Sequence, residues 1–201
     1  EAVVIDAGFL CSLDSGNMRS GFAEMLKHSL LASREMWLRH IRFDLENPDM
    51  GAILPLIGES IKVKNGIVEQ DPRETGLRKA LNFGHTFGHA LETLAMEMGR
   101  TGLHGYFVAW GMVAELFLSC TREGFPQTDM RNTVRFVKDC YGEAQFTCKD
   151  YERIYELMAH DKKNAAGRIN CTLLSAIGSI KTDCRLEKDE IFEALDFLRE
   201  G

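Results

Sequence analysis

The sequence predicts a mainly α-helical, bundle-like domain with a minor β-hairpin or extended element near residues 168–181. Apolar residues recur three and four positions apart along most of the chain, which is the period of an amphipathic helix. One stretch, residues 102–120, is apolar on almost all sides, as expected for a helix at the centre of a bundle. Residues 168–178 instead form a short apolar block of strand character between two helical segments.

Taken in order, the elements begin with an extended segment or strand end at Ala2–Asp6. The periodic segments that predict helices are Met18–His40, Met50–Val63, Glu74–Met98, Gly102–Cys120, Asp129–Tyr141, Asp150–His160 and Lys188–Leu198. The second of these helices is expected to end at a turn formed by Lys64-Asn65-Gly66. Since no repeat or linker divides the chain, residues 1–201 are predicted to form one helical domain.

Composition excludes several classes of function. The chain has 201 residues, 45% of them apolar and 27% charged, which is typical of a soluble globular domain. Its net charge is −6 and it has no basic tract, so we expect no nucleic-acid partner. No apolar run reaches the ~20 residues of a membrane span, so we expect no membrane partner. The six cysteines form no CxxC pair and are interpreted as free thiols, in keeping with a cytoplasmic location.

The most informative motif runs from Asn82 to His89. His85 and His89 lie four positions apart, so on a helix they share one face, where they either bind a metal ion or are purely structural. Gly84 and Gly88 have the same spacing, and each glycine costs about 1 kcal/mol in a helix interior. Two such glycines indicate that another helix or a ligand approaches this segment closely.

Two further residues could complete a metal site. His104 begins the most apolar helix, where it is either a ligand or a hydrogen-bonded core histidine. Glu24 lies among apolar neighbours, where it is either a ligand or half of a surface ion pair with Lys27. Two imidazoles and one carboxylate, with an open coordination position, form a catalytic zinc set. Cations that could hold an anionic substrate are present at Lys64, Arg78, Lys162 and Lys163.

Together these motifs resemble the C-terminal domain of the 3-dehydroquinate synthase family. The motifs occur in the family's order between Ala2 and Ile180. They are GxAExxK at 21–27, a lysine at 64, DxxExGxR at 71–78, LNxGHTxGHAxE at 81–92, LHG at 103–105, GM at 111–112 and DKK at 161–163. The GHTxGHAxE segment is the most specific of them. One departure is Tyr106, which stands where the family has Glu, and it puts one partner of the metal ligands in doubt.

The resemblance implies a role for each candidate residue. Glu24, His85 and His104 would bind Zn²⁺ or Co²⁺, whereas His89 would be a catalytic acid/base beside them. Glu74 would be a second acid/base or proton-relay group. The residues that would hold the substrate's carboxylate, hydroxyls and phosphate are Lys27, Lys64, Arg78, Asn82 and Lys162, the last in preference to Lys163. Ser12 stands where the family has Thr near the bound nucleotide.

The implied reaction converts a sugar phosphate, 3-deoxy-arabino-heptulosonate 7-phosphate, to 3-dehydroquinate and phosphate in the shikimate pathway, with transient oxidation by NAD⁺. The chain has no GxGxxG motif, so we expect it to be a C-terminal fragment that lacks the NAD-binding domain and has negligible activity alone. The full-length enzyme is expected to be a homodimer. Two alternatives stay open, namely another sugar-phosphate cyclase and a non-catalytic helical metal-binding module.

Overall fold

A computed structural model describes residues 6–160 and 168–200 of the chain. It is mainly α-helical with one small sheet, which confirms the predicted fold class. The α-helices are α1 (Ser15–Ala32), α2 (Arg34–Ile41), α3 (Met50–Gln70), α4 (His85–Glu97), α5 (His104–Glu123), α6 (Gln127–Tyr141), α7 (Tyr151–His160) and α8 (Lys188–Glu200). The strands are β1 (Asn170–Ala176) and β2 (Ser179–Arg185), and short 3₁₀ helices lie at Ala7–Ser12, Leu77–Asn82 and Cys148–Asp150. Of the predicted lead-in Ala2–Asp6, only Asp6 is among the described residues.

The helix at the centre of the domain is α5, as its apolar sequence predicts. The elements α1, α4, α6, α8 and β1 all pack against it. Its residues Val108, Met112 and Leu116 are completely buried. Burial of each such side chain contributes about 1.5–3 kcal/mol to the stability of the fold. The packing of the surrounding elements on α5 is therefore strongly favoured.

Two of the predicted helices are divided in the structure. Met18–His40 is broken at Ser33, whose backbone is extended and whose Oγ accepts the N–H of Met36 as the N-cap of α2. Of the predicted helix Glu74–Met98, residues 74–76 lie in a loop, Leu77–Asn82 form a 3₁₀ helix, and α4 begins only after Gly84, where φ is +80°. Apolar spacing does not reveal either break, because the segments on both sides of it keep a buried face.

The turn predicted at Lys64-Asn65-Gly66 is wrong, because α3 continues through it to Gln70. Ile67 is buried in this last part of the helix, so tertiary packing outweighs the weak helix propensity of Asn and Gly. The predicted start of α3 at Met50 is confirmed, and the side chain of Asp49 caps it.

The predicted β element is an antiparallel hairpin that extends to Arg185, beyond the expected boundary. Leu174 of β1 pairs with Ile180 of β2, and Gly178 makes the turn between the strands with φ +80°. The N–H of Gly178 donates to the Leu30 carbonyl of α1 at 2.9 Å. The hairpin is thereby attached to α1 at its turn and to α5 along β1.

All six cysteines are free thiols, as predicted. Burial raises the pKa of the Cys171 thiol well above its ordinary value, which keeps it protonated and unreactive. None of the helices in residues 6–160 and 168–200 is long and apolar enough to span a membrane.

Candidate metal centre

The helices α4 and α5 meet at the level of the backbone, through glycine residues. A Cβ on Gly111 of α5 would lie 1.9 Å from the Gly84 carbonyl oxygen, and one on Gly88 of α4 would lie 2.9 Å from the Phe107 oxygen. The residue later in α4, Gly88, contacts the residue earlier in α5, Phe107, so the two helices are antiparallel. The close approach predicted from Gly84 and Gly88 is therefore that of another helix, and it brings the first turn of α5 beside α4.

The helix α1 meets the first turn of α5 in the same way. The N–H of Gly105 donates to Ser20 Oγ at 3.0 Å, and a Cβ on Gly105 would lie 2.0 Å from the Ser20 carbonyl oxygen. Glu24 follows Ser20 by one helical turn, so its carboxylate reaches His104. Close helix packing thus brings side chains from α1, α4 and α5 to one place although they are distant in sequence.

The predicted metal ligands converge on one carboxylate oxygen. Glu24 Oε1 lies 3.3 Å from His85 Nε2 and 3.9 Å from His104 Nε2. His89 joins the cluster, because ring nitrogens of His85, His89 and His104 lie within 4.8 Å of one another. The described residues therefore offer two overlapping three-ligand sets, the predicted set with Glu24 and a set of three histidines.

Hydrogen bonds on the far side of each ring determine which nitrogen faces Glu24. His85 Nδ1 lies 3.2 Å from Phe83 O, and His104 Nδ1 lies 3.0 Å from Glu92 Oε2. Since a carbonyl oxygen and an ionised carboxylate can only accept, each Nδ1 carries the proton. Each ring therefore turns Nε2 toward Glu24 Oε1. Two imidazole nitrogens beside one carboxylate oxygen, each ring oriented through its other nitrogen, form a donor set that fits a metal ion such as Zn²⁺.

Burial and charge keep these groups in the forms that bind metals. Burial raises the pKa of Glu24, but its contacts with His85 and Lys27 outweigh burial and hold that pKa well below its ordinary value. Burial lowers the pKa of His85, although its contact with Glu24 opposes this effect, so the ring is neutral at pH 7. A deprotonated carboxylate and a neutral imidazole are the forms in which these side chains act as ligands.

The expected pair of Glu24 and Lys27 is present, with its ammonium group buried and its carboxylate 33% exposed. Lys27 Nζ donates to Glu24 Oε2 at 2.5 Å and to the Leu81 carbonyl at 2.7 Å, and the lysine side chain is only 4% exposed. This ammonium group therefore joins the carboxylate on α1 to the segment that leads into α4. The predicted contact of Lys27 with substrate stays a prediction.

A second group of predicted residues lies in and after the loop that follows α3. Asn82 Nδ2 donates to Glu74 Oε1 at 2.9 Å, so these two side chains are together. Asp71 organises the loop, since its carboxylate accepts three backbone N–H groups, including those of Gly76 and Arg78. Those bonds, led by that of Gly76, lower the pKa of Asp71 to about 2. Glu74 has φ 57°, an unfavourable conformation for a residue with a side chain, so the loop holds it in one defined position.

Two cavities are lined in part by residues of α4. One, of about 420 Å³, is lined by Glu74 and Asn82 and, on the hairpin, by Asn170. The other, of about 410 Å³, is lined by His89 and by residues of α7. Thr86, next to His85 in the chain, borders both cavities. Both cavities have the size of small-molecule sites, and His89 lines one of them.

Three predicted site residues lie elsewhere or are not described. Ser12 is exposed in the first 3₁₀ helix, where its hydroxyl donates to a backbone carbonyl three residues earlier. Lys64 is exposed on α3, and its charge acts on the buried His28 of α1. Lys162, like Lys163, falls outside the described residues. The roles of these residues stay predictions.

Sequence reasoning missed two carboxylates that support the cluster. Glu92 holds Nδ1 of His104; its position three residues after His89 places it on the histidine face of α4, but does not identify His104 as its partner. Glu115 is completely buried in α5 and accepts the N–H of Gly84 at 2.8 Å. A single carboxylate in an otherwise apolar helix requires a partner, and that was the available signal.

The departure at Tyr106 does not leave His104 without an acidic partner. The Tyr106 ring lies edge-on to Tyr141 at 5.2 Å and to Trp110 at 6.2 Å between ring centroids. Glu92, the last residue of the matched motif at 81–92, lies at Nδ1 of His104. It is a family residue in its own right, so it does not replace the Glu that the family has at position 106.

Curated relatives of the chain are 3-dehydroquinate synthases of about twice its length. The enzyme of Parabacteroides distasonis is 46% identical over 199 residues, which are 99% of this chain and 56% of that protein. The enzyme of Geobacillus thermodenitrificans is 38% identical over 205 residues, which are 100% of this chain and 55% of that protein. The chain thus spans about half the length of the curated relatives it matches.

Solved structures of two named synthases share the fold. One is 2-deoxy-scyllo-inosose synthase complexed with carbaglucose-6-phosphate, NAD⁺ and Co²⁺, with TM-score 0.77, 22% identity, and coverage of 98% of this chain and 54% of that one. The other is 2-epi-5-epi-valiolone synthase from Streptomyces hygroscopicus subsp. jinggangensis 5008 with NAD⁺ and Zn²⁺ bound, with TM-score 0.76, 22% identity, and coverage of 96% and 54%. The family model for the 3-dehydroquinate synthase C-terminal domain matches residues 21–164. The chain therefore belongs to the 3-dehydroquinate synthase family, as the resemblance in its motifs predicts.

Proposed function

We propose that this chain is the metal- and substrate-binding half of a 3-dehydroquinate synthase, which converts 3-deoxy-arabino-heptulosonate 7-phosphate to 3-dehydroquinate and phosphate. The observation that carries the proposal is the arrangement around Glu24. Its Oε1 faces the Nε2 atoms of His85 and His104 at 3.3 and 3.9 Å, while both Nδ1 atoms are held by acceptors. Such a set of donors, with each imidazole oriented by a second group, is the form of a catalytic metal site.

Glu24, His85 and His104 would hold Zn²⁺ or Co²⁺, the metals named for the two solved synthases. A metal ion held there would act as a Lewis acid on a substrate hydroxyl or carbonyl oxygen. NAD⁺ would supply the hydride chemistry, and Ser12 is the residue of this chain proposed to lie near it.

His89 is the residue proposed to move protons. Its ring centroid lies 5.2 Å from that of His85 and 5.8 Å from that of His104, so it adjoins the ligands without being needed as one. An imidazole can take up and release a proton near neutral pH, as acid/base catalysis requires. Its place on the wall of a cavity supports contact with a bound substrate.

Glu74 is proposed as the second acid/base group, with Asn82 as its partner. The bond from Asn82 Nδ2 orients one carboxylate oxygen of Glu74. Arg78 and Lys27 would neutralise the phosphate and carboxylate of the substrate, because charge-assisted hydrogen bonds to such groups are strong. Lys64 and Lys162 are proposed to contribute in the same way.

The test is a product assay on the full-length protein with the heptulosonate phosphate, NAD⁺ and Zn²⁺ or Co²⁺. Release of phosphate with equimolar 3-dehydroquinate is the expected result. Turnover of a different seven-carbon sugar phosphate, with none of this substrate, would instead assign another cyclase of the same scaffold. Unchanged turnover after Glu24→Gln would favour a non-catalytic role for the metal site.

We expect the full-length protein to be a cytoplasmic homodimer that binds neither nucleic acid nor membranes. Sedimentation of the purified full-length protein tests the dimer, and a monomer at micromolar concentration would contradict it.

A further inference from the structure

Glu115 is a completely buried carboxylate in the middle of the most apolar helix of the domain. Its Oε2 accepts the N–H of Gly84 at 2.8 Å, and its Oε1 accepts the N–H of Thr86 at 3.2 Å. Both carboxylate oxygens are therefore directed at the beginning of α4. A buried carboxylate is unfavourable unless hydrogen bonds of this kind satisfy it, so the pairing is specific.

The first turn of α4 has no capping side chain of its own. A helix begins with N–H groups that have no partner within the helix, and a side chain at the N-cap position usually accepts from one of them. Here the N-cap residue is Gly84, which has no side chain and adopts φ +80°. Glu115 reaches across from α5 and supplies the missing acceptor, and its charge also suits the positive end of the helix dipole.

His85 lies between the two amides that Glu115 holds. Its Nδ1 contacts Phe83 O in the same turn, so the direction of its ring depends on the conformation of residues 83–86. The backbone contact between Gly84 and Gly111 fixes the same turn against α5 at a second point. Because α5 also begins with His104, one helix carries one candidate ligand and, eleven residues later, the group that fixes another.

We propose that Glu115 is a positioning residue for the metal site, in that its carboxylate holds the first turn of α4 so that His85 Nε2 points at Glu24. The inference rests on the proposed function, since it concerns the same metal site. Besides packing in the core, α5 would then fix the position of His85 relative to His104.

The test compares Glu115→Gln with Ser119→Ala in the full-length protein. Glu115→Gln keeps the shape of the side chain but turns an NH₂ group toward one of the two amides, so one hydrogen bond is lost. Ser119 is equally buried one turn later on α5. Its Oγ donates to the backbone carbonyl of Glu115 and accepts the N–H of Leu174, so it accepts from β1 rather than from α4. Ser119→Ala therefore disturbs the core without touching the turn that carries His85.

Three quantities are measured for each protein: the Zn²⁺ dissociation constant by competition with a chromophoric chelator, the visible absorption spectrum with Co²⁺, and the thermal midpoint without metal. We expect Glu115→Gln to raise the Zn²⁺ dissociation constant about tenfold to a hundredfold, as loss of groups that orient metal ligands typically does. Its Co²⁺ spectrum should also change. Ser119→Ala should lower the thermal midpoint but leave both metal readouts as in the wild type.

Equal Zn²⁺ affinity in Glu115→Gln and the wild type would overturn the inference while leaving the proposed metal site intact. Equal losses of affinity in both variants would overturn it too, because the effect would then be one of stability alone. A wild-type protein that binds no Zn²⁺ would overturn the metal site and the inference with it. If Glu115→Gln does not fold, Glu115→Asp, which keeps the charge but withdraws it by one methylene, is judged by the same criteria.

Discussion

Replacing Gly111 by alanine should separate α4 from α5. The added Cβ would lie 1.9 Å from the Gly84 carbonyl oxygen and 2.8 Å from the Gly88 nitrogen. Ordinary contacts of carbon begin near 3.5 Å, so the backbones must part by about 1.5 Å. The atoms it meets belong to the backbone and cannot rotate away. They are also the acceptor and donor of a hydrogen bond in the first turn of α4, at 3.0 Å.

The cost of Gly111→Ala follows from these contacts. Overpacking of a well-filled core costs about 1–3 kcal/mol, and weakening the buried hydrogen bond adds about 1 kcal/mol. We therefore expect a loss of about 3 kcal/mol in the free energy of unfolding, which for a chain of this length lowers Tm by about 6–12 °C. Metal affinity should fall with it, because His85 and His104 lie on the two helices that part.

A matched control is Gly66→Ala. Gly66 is inside α3, and a Cβ placed there has no neighbour within 4 Å. Alanine should therefore stabilise the helix by about 0.5–1 kcal/mol through its higher helix propensity. The assay is thermal and urea unfolding of both variants beside the wild type. If Gly111→Ala unfolds at the same temperature as the wild type, the backbone contact between α4 and α5 is wrong.

Three further predictions concern the packing, the ligands and the pH dependence. Gly105→Ala should lower Tm by several degrees and weaken Zn²⁺ binding, since its Cβ would lie 2.0 Å from a carbonyl of α1 and push that helix away; an unchanged Tm would contradict this. Glu92→Gln should weaken Zn²⁺ binding about tenfold by loosening His104, whereas Glu97→Gln, on the surface of the same helix, should not, as chelator competition would show. Burial lowers the pKa of His28 to about 4, so between pH 6.5 and 4 the unfolded chain binds a proton that the folded chain does not. The contribution of His28 to the free energy of unfolding is therefore fully present above pH 6.5 and should fall by about 3 kcal/mol as the pH drops to 4. In His28→Gln, the free energy of unfolding measured with urea should change less over this pH range.

Much of the fold follows from local pattern. The central position of α5 is visible in a sequence that is apolar on nearly all sides, and the hairpin is visible in the strand-like block before the last helix. The breaks at Ser33 and Gly84 are less visible, because they depend on a cap and on a left-handed backbone rather than on apolar spacing. The helical path through Gly66 depends on burial of Ile67, which no local propensity reveals.

The candidate site is predictable only in part for the same reason. The spacing of His85 and His89 places both on one helix face, and the structure has them there with ring centroids 5.2 Å apart. That Glu24 meets His85 and His104 depends on glycine contacts between three helices, and such long-range geometry was available beforehand only through the family resemblance. The supporting carboxylates act across helices or on the far side of a ring, so their partners could not be read from spacing alone.

The metal content of purified full-length protein tests the central claim most directly. Elemental analysis of the wild type beside Glu24→Gln, His85→Ala, His104→Ala and His89→Ala distinguishes the two possible ligand sets. We predict about one equivalent of zinc or cobalt in the wild type and in His89→Ala, and loss of metal in the other three, as a site of three protein ligands requires. Loss of metal in His89→Ala with retention in Glu24→Gln would contradict the account and assign the site to the three histidines.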